Sequence, residues 1–204
     1  MDETLHRVHA IPAPGEHLCG IAWDGECLWH ADAGTNLLYR LDSVDGRIVR
    51  TLTCPDVRTC TSFAGALLWQ VAGRPKSVRC LDPDSGSVVR EIPLRSETAC
   101  GLEVGHQHFW TTFEEGLLAL CRLSDGAIER ELPAEPRIAG VTSLLGDLWY
   151  AVDEPGLIVR VGPDSGREAG RYHVDGSPTG LSSDGHRLWY ADFSAKELVA
   201  VVPP

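Results

Sequence analysis

The chain has 204 residues, with 29 Asp and Glu against 18 Lys and Arg and a formal net charge of −11. That length suits one domain with a sizeable core, residues 1–204, and the acidic balance disfavours nucleic acid or an anionic membrane surface as principal partner, because both ask for a basic face. Seven cysteines are an odd number for a disulfide framework; with no basic-then-apolar leader in MDETLHRVHA and no apolar run of membrane-spanning length, a reducing, cytoplasmic setting and a monomer are expected.

Thr4–Ile11 reads as a single strand ahead of the first repeat, and Pro12, Pro14 and Gly15 carry the chain inward. The segment Leu18–Leu52 then reads as four short strands and three turns. Leu18–Trp23 is an apolar inner strand, and Asp24-Gly25 is a hairpin signal. Cys27–Ala31 holds Trp29, Asp32–Asn36 is a loop, Leu37–Leu41 is a third strand, and Asp42–Gly46 turns into a fourth strand, Ile48–Leu52. Trp69, Trp110, Trp149 and Trp189 follow Trp29 at spacings of 40, 41, 39 and 40 residues. A period near 40 with four strands per copy predicts antiparallel blades that stack around an axis.

Blade two runs from Cys60 to Leu94, blade three from Cys100 to Leu132 and blade four from Ile138 to Val174. The turn before Trp69 is read as one residue shorter than its counterparts. Blade five has only three strands, Thr179–Ser183, Leu188–Ala191 and Glu197–Val201. Thr4–Ile11 is therefore expected to complete it from outside, joining the chain ends and covering an open strand edge. No stretch has the periodicity and length of a helix. The predicted fold is an all-β, five-bladed β-propeller.

Phrases such as GIAWDGECLWHADAGTNLLYRLD and GLSSDGHRLWYAD resemble a broad group of bacterial propellers. That group includes glutaminyl cyclotransferase-like five-bladed proteins, virginiamycin B lyase-like proteins and quinoprotein-type repeats. The resemblance covers all five repeats and implies the fold. The shared residues build blades, and no catalytic residue of those enzymes falls on a matching motif, so no active site is carried over.

Function has to be sought where the repeat is broken. Inner strands converge on the axis, and the loops entering them share a face with the loops joining second and third strands. The inner strands begin with a column read as Cys19, Cys60, Cys100, Ala139 and Thr179. Three thiols at one height would suit a thiophilic ion such as Zn²⁺, Cu⁺ or a heavier metal, or a thiol-reactive small molecule. Cysteine is equally at home as a small buried residue copied between repeats. Glu103 stands three residues further on, where the other blades place small or aromatic residues, and is a candidate general base. His17, Arg58 and Arg137 precede the column by two residues. The arginines are candidate anchors for a carboxylate or phosphate and His17 a candidate acid or base, although all three could equally be solvated loop charges. The readings are therefore a propeller binding a soft metal or small molecule, an enzyme of lyase or cyclotransferase type using the same pocket, or an interaction platform with no ligand in its channel.

Overall fold

The computed structural model describes residues 3–204, which form no helix. Five sheets surround one axis. Blade one is Leu18–Trp23, Cys27–Asp32, Leu37–Asp42 and Ile48–Thr53. Blade two is Val57–Ala64, Leu67–Ala72, Ser77–Leu81 and Val88–Pro93. Blade three is Ala99–Val104, His108–Phe113, Leu117–Arg122 and Ile128–Pro133. Blade four is Ile138–Leu144, Asp147–Val152, Leu157–Val161 and Glu168–His173. Blade five is Pro178–Ser183, Leu188–Asp192 and Glu197–Val201, with Arg7–Pro12 as its outer strand.

The repeat is visible in local chemistry. The turn between third and fourth strands closes with the same backbone bond in blades one to four: Gly46, Gly86, Gly126 and Gly166 donate to residues 42, 82, 122 and 162 at 2.8–2.9 Å. All four glycines have φ between +65° and +74°, a region that disfavours other residues. The second strands are the most deeply buried, with every residue of Cys27–Asp32 and of Leu188–Asp192 buried. Their side chains also hold the inner strands. His30 Nδ1 lies 2.9 Å from Gly20 O, Gln70 Nε2 donates to Thr59 O at 2.8 Å, and Thr111 Oγ1 donates to Gly101 O at 2.8 Å. Such bonds satisfy carbonyls that the bulged inner strands leave outside the regular ladder.

The N-terminal segment closes the ring, and it does so on two blades. Arg7–Pro12 pairs antiparallel with Glu197–Val201, as the missing strand of blade five implied. Glu3–Thr4 instead runs parallel to the outer strand of blade four, so the single strand expected over Thr4–Ile11 is split. The break follows from Leu5, which turns inward to pack with Trp149, Tyr172 and Tyr190 between blades four and five. On the second segment Ile11 is buried at 1 % exposure among residues of blades one and five.

If this strand fastens the ring, Ile11→Ala should lower unfolding stability by about 2–5 kcal/mol, in the range for emptying a core site. Val8→Ala, on the same strand at 56 % exposure, should change it by less than about 0.5 kcal/mol. Equal denaturant midpoints for the two variants would show that the clasp carries no load.

Candidate functional site

The site follows from how the inner strands enter the ring. Each begins with a bulge, where its pairing with the second strand shifts register. In blades one, three, four and five one extra residue is inserted; in blade two the four steps from Val57 to Thr61 face the two steps from Ala72 to Gln70, so two are inserted. The turn before Trp69 has the same length as that before Trp29, since Ser62 pairs with Trp69 as Ala22 pairs with Trp29. The one-residue difference expected in the turn thus lies in the strand.

This register changes the columns. Thr61, opposite Gln70, corresponds to Ile21, Leu102, Val141 and Leu181, each opposite the residue after the marker tryptophan. Cys60 therefore stands in the glycine column with Gly20, Gly101, Gly140 and Gly180. The column that begins with Cys19 reads Cys19, Thr59, Cys100, Ala139, Thr179. All five of these residues line one cavity of about 560 Å³ at the mouth of the axis, and Cys60 does not. The rim column is corrected in the same way. The residues whose carbonyls accept from the second-to-third-strand loops are His17, Asp56, Thr98, Arg137 and Ser177, so Arg58 belongs inside the blade-two bulge.

Beneath this floor the ring is nearly solid. A Cβ on Gly20 would sit 2.6 Å from Thr61 Oγ1, one on Gly101 2.6 Å from Ala139 O, and one on Gly140 would collide with the Leu181 nitrogen. Of the five residues in the glycine column, Cys60 alone carries a side chain. Its Sγ reaches across the axis to Thr179 O of blade five, at 3.6 Å.

The three cysteines do not fit the expected three-thiolate set. Cys19 donates to Ala31 O at 3.3 Å, and Cys100 lies 3.0 Å from both Ile138 O and Thr112 Oγ1. Burial pushes the Cys19 thiol up to about 12 and the Cys100 thiol to about 11, while hydrogen bonding from Thr112 holds Cys100 back. Cys60 is driven well above the ordinary thiol value, first by burial and then by Cys100 and Cys19. Each thiol has a carbonyl acceptor, Cys60 stands outside the pocket that Cys19 and Cys100 line, and among the described residues no group of three His, Cys, Asp or Glu side chains is arranged to hold a metal ion.

The walls are Leu18 and Ile138, and the mouth carries His17, Arg58, Glu114, Arg137, Asp153 and Phe193. Arg137 is spent on an ion pair to Asp153 at 3.0 Å and a second to Glu154. Arg58 is held loosely, by Gly73 O at 3.3 Å and Asp56 Oδ1 at 3.4 Å. Thr59 Oγ1 is buried in the floor without a hydrogen-bond partner. His17 is exposed beside Phe193, with ring centroids 6.2 Å apart. Asp32 and Asp192 pair with neither arginine; each accepts backbone N–H groups that shape the loops of blades one and five.

Glu103 is elsewhere. It lies toward the other end of the inner strand, where it lines a cavity with Ser62, Thr142 and Ser182 on the opposite face. Its carboxylate accepts from Ser143 N at 3.1 Å and Ser143 Oγ at 2.7 Å; burial raises its pKa and these bonds oppose the rise. Glu103 and His17 therefore cannot serve one reacting centre in the axial pocket. Thr59, Glu114 and Phe193 were not singled out by the sequence reading. Glu114 and Phe193 belong to a column four residues after the marker tryptophan, Ala33, Gly73, Glu114, Asp153 and Phe193, whose N–H groups bind the rim carbonyls.

No known family profile matches the chain. No curated protein matches it in sequence. Solved structures do match in fold. The glutaminyl cyclase of Myxococcus xanthus superposes with a TM-score of 0.82 at 11 % identity, over 98 % of this chain and 97 % of that one. A catalytically inactive virginiamycin B lyase from Staphylococcus aureus, solved with quinupristin, gives 0.58 at 19 % identity over 92 % of this chain and 66 % of that one. The WD40 propeller domain of Doa1 gives 0.63 at 14 % identity, over 92 % and 79 %. The fold is that of the five-bladed propellers which the repeats resemble.

The raised thiols set a pH dependence. A folded pKa above the unfolded one means stability is complete below the ordinary thiol value and declines as pH rises toward the folded value. For Cys100 the window runs from the ordinary 9.0 to about 11, a loss of at most about 3 kcal/mol at 1.36 kcal/mol per pH unit. Cys100→Ser, which keeps a hydroxyl for Ile138 O, should flatten the alkaline limb of a stability-against-pH curve. An unchanged limb would show that this thiol does not titrate differently on unfolding.

Proposed function

We propose that this propeller binds a small organic molecule in the axial pocket, and that the ligand carries a single anionic group. The observation that carries this reading is Arg58. Two arginines stand at the mouth, and only Arg137 is committed to carboxylates at close range. Arg58 hangs from the blade-two bulge with bonds of 3.3 and 3.4 Å, long for a guanidinium that could make charge-assisted bonds well under 3 Å. Glu114 and Asp153 share the mouth, so a second negative charge on the ligand would meet repulsion. The apolar body of such a ligand rests on Leu18, Ile138 and Ala139, and Thr59 Oγ1 supplies an unused polar contact at the floor. A volume of about 560 Å³ is within the usual range of small-molecule sites.

The soft-metal version of this reading loses support from the geometry, since Cys60 stands outside the pocket that Cys19 and Cys100 line. An enzymatic version loses the pairing of Glu103 with His17. Cys19 and Cys100 then act as compact, polarisable lining whose S–H groups are already bonded.

Benzoate and hexanoate are suitable probes, with benzamide as the uncharged control. Either carboxylate should raise the melting temperature saturably, by up to about 2.7 kcal/mol in stability at a hundredfold excess over Kd. The gain should shrink with added salt. Arg58→Gln should weaken binding about tenfold or more, the worth of one charge-assisted hydrogen bond. Equal stabilisation by benzamide, or an unchanged response in Arg58→Gln, would overturn the anionic-ligand reading.

A further inference from the structure

The five marker tryptophans are not equivalent. Trp29, Trp69, Trp149 and Trp189 are buried, and Trp110 is half-exposed. Each buried indole N–H donates to a residue five positions earlier. Trp29 and Trp189 donate to the carboxylates of Asp24 and Asp184, at 3.0 and 2.9 Å, and Trp69 and Trp149 to the carbonyls of Ala64 and Leu144, at 3.2 and 3.3 Å. In blade three the corresponding residue is Gly105. The indole N–H of Trp110 has no hydrogen-bond partner among the described residues.

Blade three differs from blades four and five in two further ways at the same place. The residue across from the marker tryptophan on the inner strand is Ala22, Ser62, Thr142 or Ser182 in the other blades, and Glu103 here. Such cross-strand partners lie side by side on one face of the sheet, so Glu103 and the indole share the face turned toward blade four, where the carboxylate meets Ser143. On the other side, blade four places Arg160 across from Trp149, with the guanidinium 5.5 Å from the ring centroid. In blade five Arg187 covers Trp189 at 5.1 Å. The residue across from Trp110 is Leu120. Blade three thus has the acceptor ring, lacks the cation and adds a carboxylate.

These residues open onto a groove of about 650 Å³ between blades three and four, bounded by Leu148 and Pro163. The equivalent groove between blades one and two measures about 220 Å³, with Arg40 and Phe63 standing in it. Ser143 takes the place of Phe63, each being the residue after the tryptophan's inner-strand partner. The other acid in the wide groove, Asp147, is already paired with Arg160 at 2.5 Å. Glu103 has no cationic partner among the described residues. His106 and His108 also line the groove, and His108 Nε2 lies 2.9 Å from Glu129.

We propose that this groove is a second binding site, for an organic cation of guanidinium or primary alkylammonium type held between the Trp110 ring and the Glu103 carboxylate. The cation takes the position that Arg160 and Arg187 occupy over Trp149 and Trp189. A ring face and a carboxylate are together the usual recognition chemistry for such groups. The site lies on the opposite face from the axial pocket, so it stands or falls independently of the ligand proposed there.

The indole N–H resonances of ¹⁵N-labelled protein provide the test, with that of Trp110 assigned by Trp110→Phe. Butylguanidinium and butylamine, added above the titration range of histidine, should shift the Trp110 resonance saturably, and neutral butanol should not. Glu103→Gln, which keeps an acceptor for Ser143, should weaken binding about tenfold or more. Leu120→Arg rebuilds the blade-four arrangement and should abolish binding while the remaining spectrum stays dispersed. An acetylated arginine tripeptide amide identifies the source of the cation: equal affinity with butylguanidinium indicates a free small molecule, and markedly tighter binding an arginine of a partner protein. An unmoved Trp110 resonance, or full affinity in Glu103→Gln or Leu120→Arg, would overturn the proposal.

Discussion

Closing a ring with only five blades forces the inner strands together at the axis, and this close approach governs the rest of the molecule. At Gly20, Gly101 and Gly140 a side chain would strike its neighbours, and at Gly180 it would press on the backbone of blade one. Polar backbone crowded in this way has to be satisfied, and the second strands do so through His30, Gln70 and Thr111. Above the glycine layer lie the strand bulges, and the cavity opens over them. Below it, hydroxyls and Glu103 line a separate space. Cys60 is the one non-glycine residue of the column, and its sulfur reaches across to Thr179. The two faces are consequently separate chemical environments, not two ends of one open channel.

That layer also explains which parts of the molecule were legible in sequence. Tryptophan spacing, turn glycines and the three-stranded last repeat are local signals, and each led to its element: the blades, the recurring 3–4 turns, and the strand Arg7–Pro12 on blade five. Register inside a bulge is not local. An additional residue in the blade-two strand and a missing residue in its turn give nearly the same spacing between landmarks. The placement is settled only by which residue faces Gln70. The choice of a short turn gathered three cysteines into a column that the fold divides between two layers. Counting back from the tryptophan instead brings Thr59 into the column, and counting forward brings Glu114 and Phe193 to the rim.

Charge was legible as composition and not as pairing. His17, Arg58 and Arg137 all line the mouth, His17 and Arg137 from just ahead of their inner strands and Arg58 from within the blade-two bulge. Their separate roles depend on groups distant in sequence or hidden in loop geometry. Arg137 is neutralised because the blade-four loop turns both Asp153 and Glu154 toward it. Arg58, on the blade-two bulge, is held more loosely, its pairing with Asp56 being 3.4 Å. Glu103 was conspicuous as an acid on an inner strand, and its height along that strand, set by pairing with Trp110, assigns it to the other face.

Repetition makes such departures interpretable in physical terms. Four copies of the same environment define what a marker tryptophan needs in order to be buried: an acceptor for its N–H and tight cover for its ring. In blades four and five the cover includes a guanidinium supplied by the chain itself. Blade three retains the tryptophan without acceptor or cation and leaves its groove about three times the volume of its counterpart between blades one and two. An indole used only for packing would gain from closure of that gap, because cover removes apolar surface from water. Placing Glu103 beside the open ring works against closure, since a carboxylate is costly to bury without a cation. The two departures make sense together when the missing cation comes from outside the chain.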